Sequence, residues 1–534
     1  MLQAKANRRT FQIQGGSFAD AYAFVKDMLS RKDVSDEAAK ETLLVFEALM
    51  QALIDWGLDE GACLEVSGTD RLGVFTVKVA FEGKFFTRDG DAVNSIEGRI
   101  LDAHDDKVNY SYYSGRNEIS ITVSRGGRTS LFACAIASLC AIAVYVPLSF
   151  AIDAQAQHDL YESYVFPLET MYTNAMLMIG APMTFFSLLK NLTNTYVVSQ
   201  RSSGIPGLQV RTLATSVLAI LLAFVTFSAL SIPLDYLDSS LYGATTVLGG
   251  SFDGSFADLV NSFMPASIFK SFEAASPIPL MILALLCTYA LCSAGKYFET
   301  LRHATMACYT LFSRMLHIVI AVLPAFCFLA VMDLLLDAGL AAIVEALGYF
   351  VVTILGILLL FATYAIRLRV HGVPVVPFIR KLIPLLRENM QIGSVINAVP
   401  YNTRYCSRVF RMRREMLERY LPVLAEINLD GNCFLLVFFA LAFAFAMGAR
   451  LPWLNVVGLA LLALFLSLGA PNQPGSILIG MVIILTYLGL TEEICLALIA
   501  EAFFGGLQNI INVIGDVVMV AIEEARERKL AESA

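Results

Sequence analysis

Ser467-Leu-Gly-Ala-Pro-Asn-Gln-Pro-Gly475 separates two apolar runs, Trp453–Leu466 and Ile477–Leu490. Each run falls short of the roughly 20 residues that a membrane-crossing helix needs. The segment between them is too rich in proline, glycine and amide for a helix and too short for a domain in water. Two half-helices that enter the membrane and meet at a tip satisfy both constraints. Non-helical backbone at that depth is tolerated only inside protein or along a wet cavity. A second interrupted segment lies upstream. Phe378–Met390 runs into Gly393-Ser-Val-Ile-Asn-Ala-Val-Pro400 and returns. The tips carry Ser394, Asn397 and Asn472, where ordinary loops would carry charge. A matched pair of interrupted segments marks the binding site of a secondary transporter. The alternative is two ordinary loops between short helices.

Composition places these segments in a membrane protein. Of 534 residues 57% are apolar and 16% charged, against about 25% charged in soluble domains. The net charge of −8 names no partner, and no basic block with interleaved aromatics predicts nucleic-acid binding. The ten cysteines show no CxxC or Cys/His metal spacing. Residues 1–128 alternate acidic and basic groups and predict a small cytoplasmic α+β domain without a signal peptide. Ser35 caps a helix carrying Leu43, Phe46, Met50, Leu53 and Ile54, which Gly57 ends. Val74–Phe81 reads as a strand, and Asn109–Tyr113 with Glu118–Val123 as a hairpin.

Eight spans are expected, at 131–152 and near 166–189, 208–231, 277–295, 316–339, 346–366, 419–447 and 494–523. Arg125, Arg128, Lys190, Arg201, Arg211, Lys296, Arg302, Arg367, Arg369 and Arg404–Arg419 all fall on one side. Both termini are therefore expected in the cytoplasm, with Pro233–Asn261 outside.

Polar groups concentrate in the last two spans. Asn428, Asp430 and Asn432 are two apart, a spacing that scatters side chains around a regular helix. In an unwound stretch, eased by Gly431, they converge, with their carbonyls, as hard oxygen ligands for an alkali cation. Gln508, Asn512 and Asp516 share one face of the last span, with Asn509 on its flank. An intramembrane carboxylate costs ~2.5–3.5 kcal/mol unless a cation, a proton or a base neutralises it. A bound cation serves Asp430 or Asp516. The alternative is that these groups only hydrogen-bond between helices.

This pattern resembles the dicarboxylate/amino acid:cation symporter family, with its glutamate-transporter-like fold, over about residues 131–525. Asn428-Leu-Asp-Gly431 is similar to the family's Asn-Met-Asp-Gly, and Asn512-Val-Ile-Gly-Asp516 to its Asn-x-x-Gly-Asp. Pro400-Tyr-Asn-Thr-Arg404 resembles the Pro-x-x-x-Arg after the first tip, and Ser467-Leu-Gly with Pro474-Gly475 the second tip. Ala181-Pro-Met-Thr-Phe-Phe-Ser187 resembles the family's second-helix Val-Pro-Leu-Val-Phe-Phe-Ser, and Pro265-Ala-Ser-Ile-Phe-Lys270 its Pro-x-Asn-Ile-Phe segment. The resemblance implies eight transmembrane helices with two re-entrant hairpins. It divides the chain into the cytoplasmic domain 1–128, a scaffold-rich region 129–372, a transport core 373–525 and a tail 526–534. It also implies a homotrimer in the cell (inner) membrane, moving by an elevator-type mechanism, and no enzymatic activity.

The resemblance assigns Asn428, Asn512 and Asp516 to one sodium site, and Thr215, Ser216, Asn428 and Asp430 to a second. A third departs from the pattern, because Glu426 and Ala470 replace threonines, and Leu424 replaces a glycine near the first. Glu426 either substitutes a proton for a sodium ion or is simply a paired carboxylate. The solute positions implied are Ser394, Asn397, Asn432, Asn472, Gln508, Asn509 and Asn512. Gly505 stands where the family has the Asp that takes an amino group, and Gln508 where it has the Arg that clamps an acidic side chain. A neutral or amide-bearing solute, or a monocarboxylate, fits better than glutamate or aspartate. Sodium-coupled symport of a small organic solute is the expected function. A transporter-like receptor signalling through residues 1–128 is the alternative. The N-terminal domain faintly resembles histidine-kinase-like ATPases of the anti-sigma type. Gln51, following Glu47, replaces the magnesium-site Asn there, and no Asp-x-Gly-x-Gly follows. That implies a degenerate regulatory module, with an unrelated α+β appendage as the alternative.

Overall fold

The computed structural model describes residues 8–12, 18–31, 36–56, 63–71, 74–83, 86, 100–101, 107–113, 115–123, 128–201, 205–230, 267–273, 277–392, 394–446, 453–469, 475–490 and 494–533. Two compact units divide it, Met1–Thr129 and Ser130–Ala534.

In the first unit the strands are β1 (Arg8–Gln12), β2 (Cys63–Arg71), β3 (Val74–Glu82), β4 (Val108–Tyr113) and β5 (Arg116–Val123). They pair antiparallel in the order β1-β2-β3-β5-β4. Period-2 alternation puts Phe75, Val77, Val79 and Phe81 on one buried face with Val66, Ile119 and Ile121. Helices α1 (Phe18–Ser30) and α2 (Asp36–Asp55) cover that face with Val25, Leu29, Phe46, Leu49 and Leu53. Gly68 allows the close approach. A Cβ there would lie 2.5 Å from the Met28 sulfur and 2.8 Å from the Phe75 ring. Ser35 and Gly57, the expected ends of α2, lie outside the described residues.

The second unit is a polytopic α-helical membrane protein. Its helices are α3 (Arg128–Ala151), α4 (Ala154–Leu160), α5 (Phe166–Arg201), α6 (Ile205–Leu230), α7 (Ile268–Glu273) and α8 (Pro277–Cys292). They continue as α9 (Phe298–Ala321), α10 (Leu323–Val370), α11 (Val375–Ile392), α12 (Val395–Tyr405), α13 (Arg414–Ile427) and α14 (Asp430–Ala446). The last three are α15 (Trp453–Gly469), α16 (Ser476–Leu488) and α17 (Ile494–Ser533). Among the described residues seven helices are long and apolar enough to cross a membrane. A shorter apolar helix, Ile278–Cys292, stands where a further span is expected. The expected outer segment 233–261 lies outside the described residues, as does Asn472.

Two expectations are corrected. The fifth span is Gly295–Ala321, not 316–339. Pro324, in the first turn of α10, starts a new helix there, as its missing N–H permits. Helix α10 then bends at Gly339, whose φ of 68° breaks the helical path. In the first hairpin the helix has already resumed at Val395, so the interruption does not run on to Pro400, which lies inside α12.

Helices α6, α14, α17 and the 347–370 part of α10 pack together with both hairpins, α11–α12 and α15–α16. Helices α8 and α9 pack on α5, which also lies along α15 and α16. At one end Arg211 of α6 donates to Glu523 of α17 at 2.7 Å, and Arg413, before α13, pairs with Glu527 of α17.

Candidate functional site

The site grows from one helix break. Helix α13 ends at Ile427 and α14 restarts at Asp430, leaving Asn428 at φ −102°, ψ 70°. The unwinding therefore falls on Asn428–Leu429, just before Gly431 and within the stretch expected to unwind. Gly431 instead permits contact with α17. A Cβ there would sit 2.9 Å from both the Asn512 Oδ1 and the Gln508 carbonyl oxygen. Its N–H donates to Asn512 Oδ1 at 2.8 Å.

The break faces α6. Thr215 donates to Asp430 Oδ1 at 3.1 Å, with Asn428 Oδ1 at 3.3 Å, and Ser216 donates to Asp430 Oδ1 at 3.2 Å. From α10, the Tyr364 hydroxyl donates to the other Asp430 oxygen at 3.0 Å. Asn428 donates its amide to Asp516 Oδ1 at 3.0 Å. The side chains of Thr215, Ser216, Asn428, Asp430, Asn512 and Asp516 are all buried. Among the described residues neither carboxylate has a Lys or Arg nitrogen within ion-pair distance. The nearby guanidinium of Arg367 reaches Met519 Sδ at 3.6 Å instead. Two buried carboxylates amid hydroxyl and amide oxygens form a hard donor set that suits an alkali cation.

A second layer lies along α17 toward the hairpins. Asn432 Oδ1 accepts from Gln508 and, at 3.0 Å, from Asn512. The Gln508 amide also bonds the Ser476 hydroxyl at 2.7 Å, tying α17 to the start of α16. Asn509 is buried on the flank, and Ser394 is buried at the first tip. The side chain of Asn397 lies outside the described residues. Arg387 and Arg404 are exposed. Glu426 accepts from Asn194 of α5 at 3.2 Å.

Three participants were not singled out from sequence. Tyr364 and Ser476 sit in apolar surroundings where one hydroxyl gives no signal. Glu501 did carry one, as a carboxylate in the apolar first half of α17 one turn before Gly505. Its oxygens accept from the Gly475 N–H at 2.8 Å and the Leu478 N–H at 3.1 Å.

Excitatory amino acid transporter 4 of Mus musculus is 30% identical over 156 residues, 29% of this chain and 28% of that protein. Human excitatory amino acid transporter 1 is 28% identical over 180 residues, 31% of this chain and 33% of the relative. Human excitatory amino acid transporter 5 is 27% identical over 186 residues, 34% and 33% of the two chains. The chain thus matches a third or less of these relatives' length. The model of the sodium:dicarboxylate symporter family matches residues 130–525, which takes in every span, both hairpins and the polar cluster. By that match the chain belongs to the sodium:dicarboxylate symporter family.

Proposed function

We propose that the protein is a sodium-coupled symporter of a small organic solute of the amino acid or carboxylate class. The observation that carries this reading is the convergence of Thr215, Ser216, Tyr364, Asn428, Asp430 and Asp516 at the α13–α14 break. A sodium ion held there offsets the cost of two intramembrane carboxylates. The cluster connects to the start of α16 through Asn512, Asn432, Gln508 and Ser476. Coupling is then a shared binding free energy: the ion orders the network to which the solute binds. The solute contacts we assign are Ser394, Asn397, Asn432, Asn472, Gln508, Asn509 and Asn512. Amide and hydroxyl groups dominate that set, which favours a neutral, amide-bearing or monocarboxylate solute over a dicarboxylate.

Four finer points are proposed, the first two on the family affiliation. The chain works as a homotrimer in the cell (inner) membrane with both termini in the cytoplasm. Residues 373–525, together with α6 and the second half of α10, move as an elevator against a scaffold that includes α5, α8 and α9. Glu426, held by Asn194 and standing where the family has a threonine, carries a proton in place of one sodium ion. Residues 1–128 act as a regulatory module.

Uptake into proteoliposomes under an imposed sodium gradient tests the reading. Candidate amino acids, amides and monocarboxylates that stabilise the purified protein in sodium are the solutes to try. Accumulation that collapses when the gradient is removed is expected. A solute that binds in a sodium-dependent way yet never accumulates would overturn symport in favour of a receptor.

A further inference from the structure

Glu501 lies 7% exposed on α17 and spends both carboxylate oxygens on the first turn of α16. One oxygen takes the Gly475 N–H and the other the Leu478 N–H. These are among the helix N–H groups that have no partner within α16, at the end where its dipole favours an anion. Gly475 has a φ of +96°, which suits glycine and aims its N–H out of the helix line. The carboxylate reaches this place because residue 505, one turn along the same helix, has no side chain. A Cβ on Gly505 would lie 2.4 Å from Glu501 Oε1. Gln508, on the same face of α17, holds the next residue of the hairpin, Ser476. The start of α16 is therefore fastened to α17 at three places, Gly475, Ser476 and Leu478.

We propose that Glu501 is a positioning residue: its carboxylate is a built-in anionic ligand that seats the second hairpin on α17, in the space that Gly505 leaves open. The hairpin of this chain needs no acidic group from a solute to occupy its helix N-terminus. A solute carboxylate that sought the Gly475 and Leu478 amides would have to displace Glu501. The missing acid clamp at Gln508 and the presence of this internal carboxylate thus act in the same direction.

The test measures hairpin position directly, whether or not the chain moves a solute. Ile477→Cys places a thiol at a buried site in the same turn. Its reaction with a membrane-impermeant maleimide is followed in the purified full-length protein, over the background of the chain's own cysteines. Glu501→Ala frees two amide donors and is expected to speed labelling about tenfold or more, the scale of losing hydrogen bonds to a charged acceptor. Added formate or acetate should refill the vacated position and restore protection, whereas chloride at equal ionic strength should not. Glu501→Gln keeps the side-chain volume, replaces one acceptor by a donor and should show intermediate labelling, which covers the case in which Glu501→Ala does not fold. Unchanged labelling in both variants would overturn the proposal. So would faster labelling of Glu501→Ala that formate and acetate leave untouched.

Discussion

The side-chain amide of Asn428 donates to Asp516 across 3.0 Å, and its carbonyl oxygen faces the Thr215 hydroxyl at 3.3 Å. One unwound residue thus joins α17 to α6, and both candidate sodium positions share it. Asp516→Asn leaves the size of that contact unchanged but removes a negative charge. Truncating one partner of a buried charged contact costs about 2–5 kcal/mol. Sodium stabilisation of the purified protein, read as a shift in melting temperature, should weaken by more than ~30-fold in half-saturating concentration. The variant should itself melt no lower than the parent in the absence of sodium, because it buries one charge fewer.

Tyr364 offers a milder change. Its hydroxyl is one of three that reach Asp430, beside those of Thr215 and Ser216. Tyr364→Phe deletes one hydrogen bond to a charged acceptor, worth about 1.5–3 kcal/mol. If the hydroxyl orients the carboxylate for the cation, sodium affinity should drop by roughly 10- to 100-fold. Unaltered sodium titration in Tyr364→Phe would mean that Asp430 is held well enough by α6 alone.

Gly431→Ala should be far worse than its chemistry suggests. The added carbon would meet the Asn512 side-chain oxygen and the Gln508 backbone oxygen, each at 2.9 Å, and a backbone oxygen does not swing away. Overpacking of this kind costs about 1–3 kcal/mol. A lower melting temperature together with weakened sodium binding is expected, since α14 and α17 would be pushed apart at the cluster. Gly515→Ala is a useful comparison: its nearest neighbour is the Asn428 side-chain amide at 2.9 Å, the end of a side chain and not backbone.

The N-terminal unit has its own acid-sensitive point. Partial burial of Glu65 works to raise its pKa. Hydrogen bonds and charge from Arg8 and Arg116 outweigh that, so the carboxyl titrates below its ordinary value of 4.5. A depressed folded-state value means that the stabilisation is complete above the unfolded value and lost as pH falls through the folded one. Hydrogen exchange of β1 and β2 in the full chain should therefore lose protection on acidification from about pH 5 to about pH 3. Glu65→Gln should flatten that loss, the intrinsic exchange rates being the same in both proteins.

How far the sequence carries the fold differs from element to element. Ser467–Gly475 is legible because prolines and amides between short apolar runs leave few membrane solutions. Asn512 and Asp516 are legible because their spacing is helical and their cost in lipid is high. The fifth span is displaced in a hydropathy reading because α9 carries Glu299, Arg302, His303 and Arg314, so the apolar window slides toward Leu323–Leu336. The break at Asn428 is legible as polar residues but not to the residue. Glycine at 431 looks like a hinge, and only the proximity of α17 reveals it as a point of contact. The role of Glu501 is harder still: the carboxylate stands out in an apolar helix, but its partners are backbone amides, which no sequence pattern marks.

Gly505 provides the sharpest test of how the solute layer was rewritten. An aspartate at this place restores the amino-group counter-ion that the family resemblance leads one to expect. Simple replacement should fail. The first carbon of an Asp side chain would lie 2.4 Å from Glu501 Oε1, and two carboxylates would then crowd one turn of α17. Gly505→Asp is expected to lower the melting temperature and to bind no α-amino acid. Glu501→Ala in the same chain removes both the collision and the repulsion, so the double variant should recover stability relative to Gly505→Asp. The deviation from additivity should be about 0.5–3 kcal/mol, as for residues in direct contact. If neutral α-amino acids then stabilise the double variant in sodium, the carboxylate at 501 and the missing one at 505 are alternatives. Additive melting shifts in the two single variants would show instead that the two positions act independently.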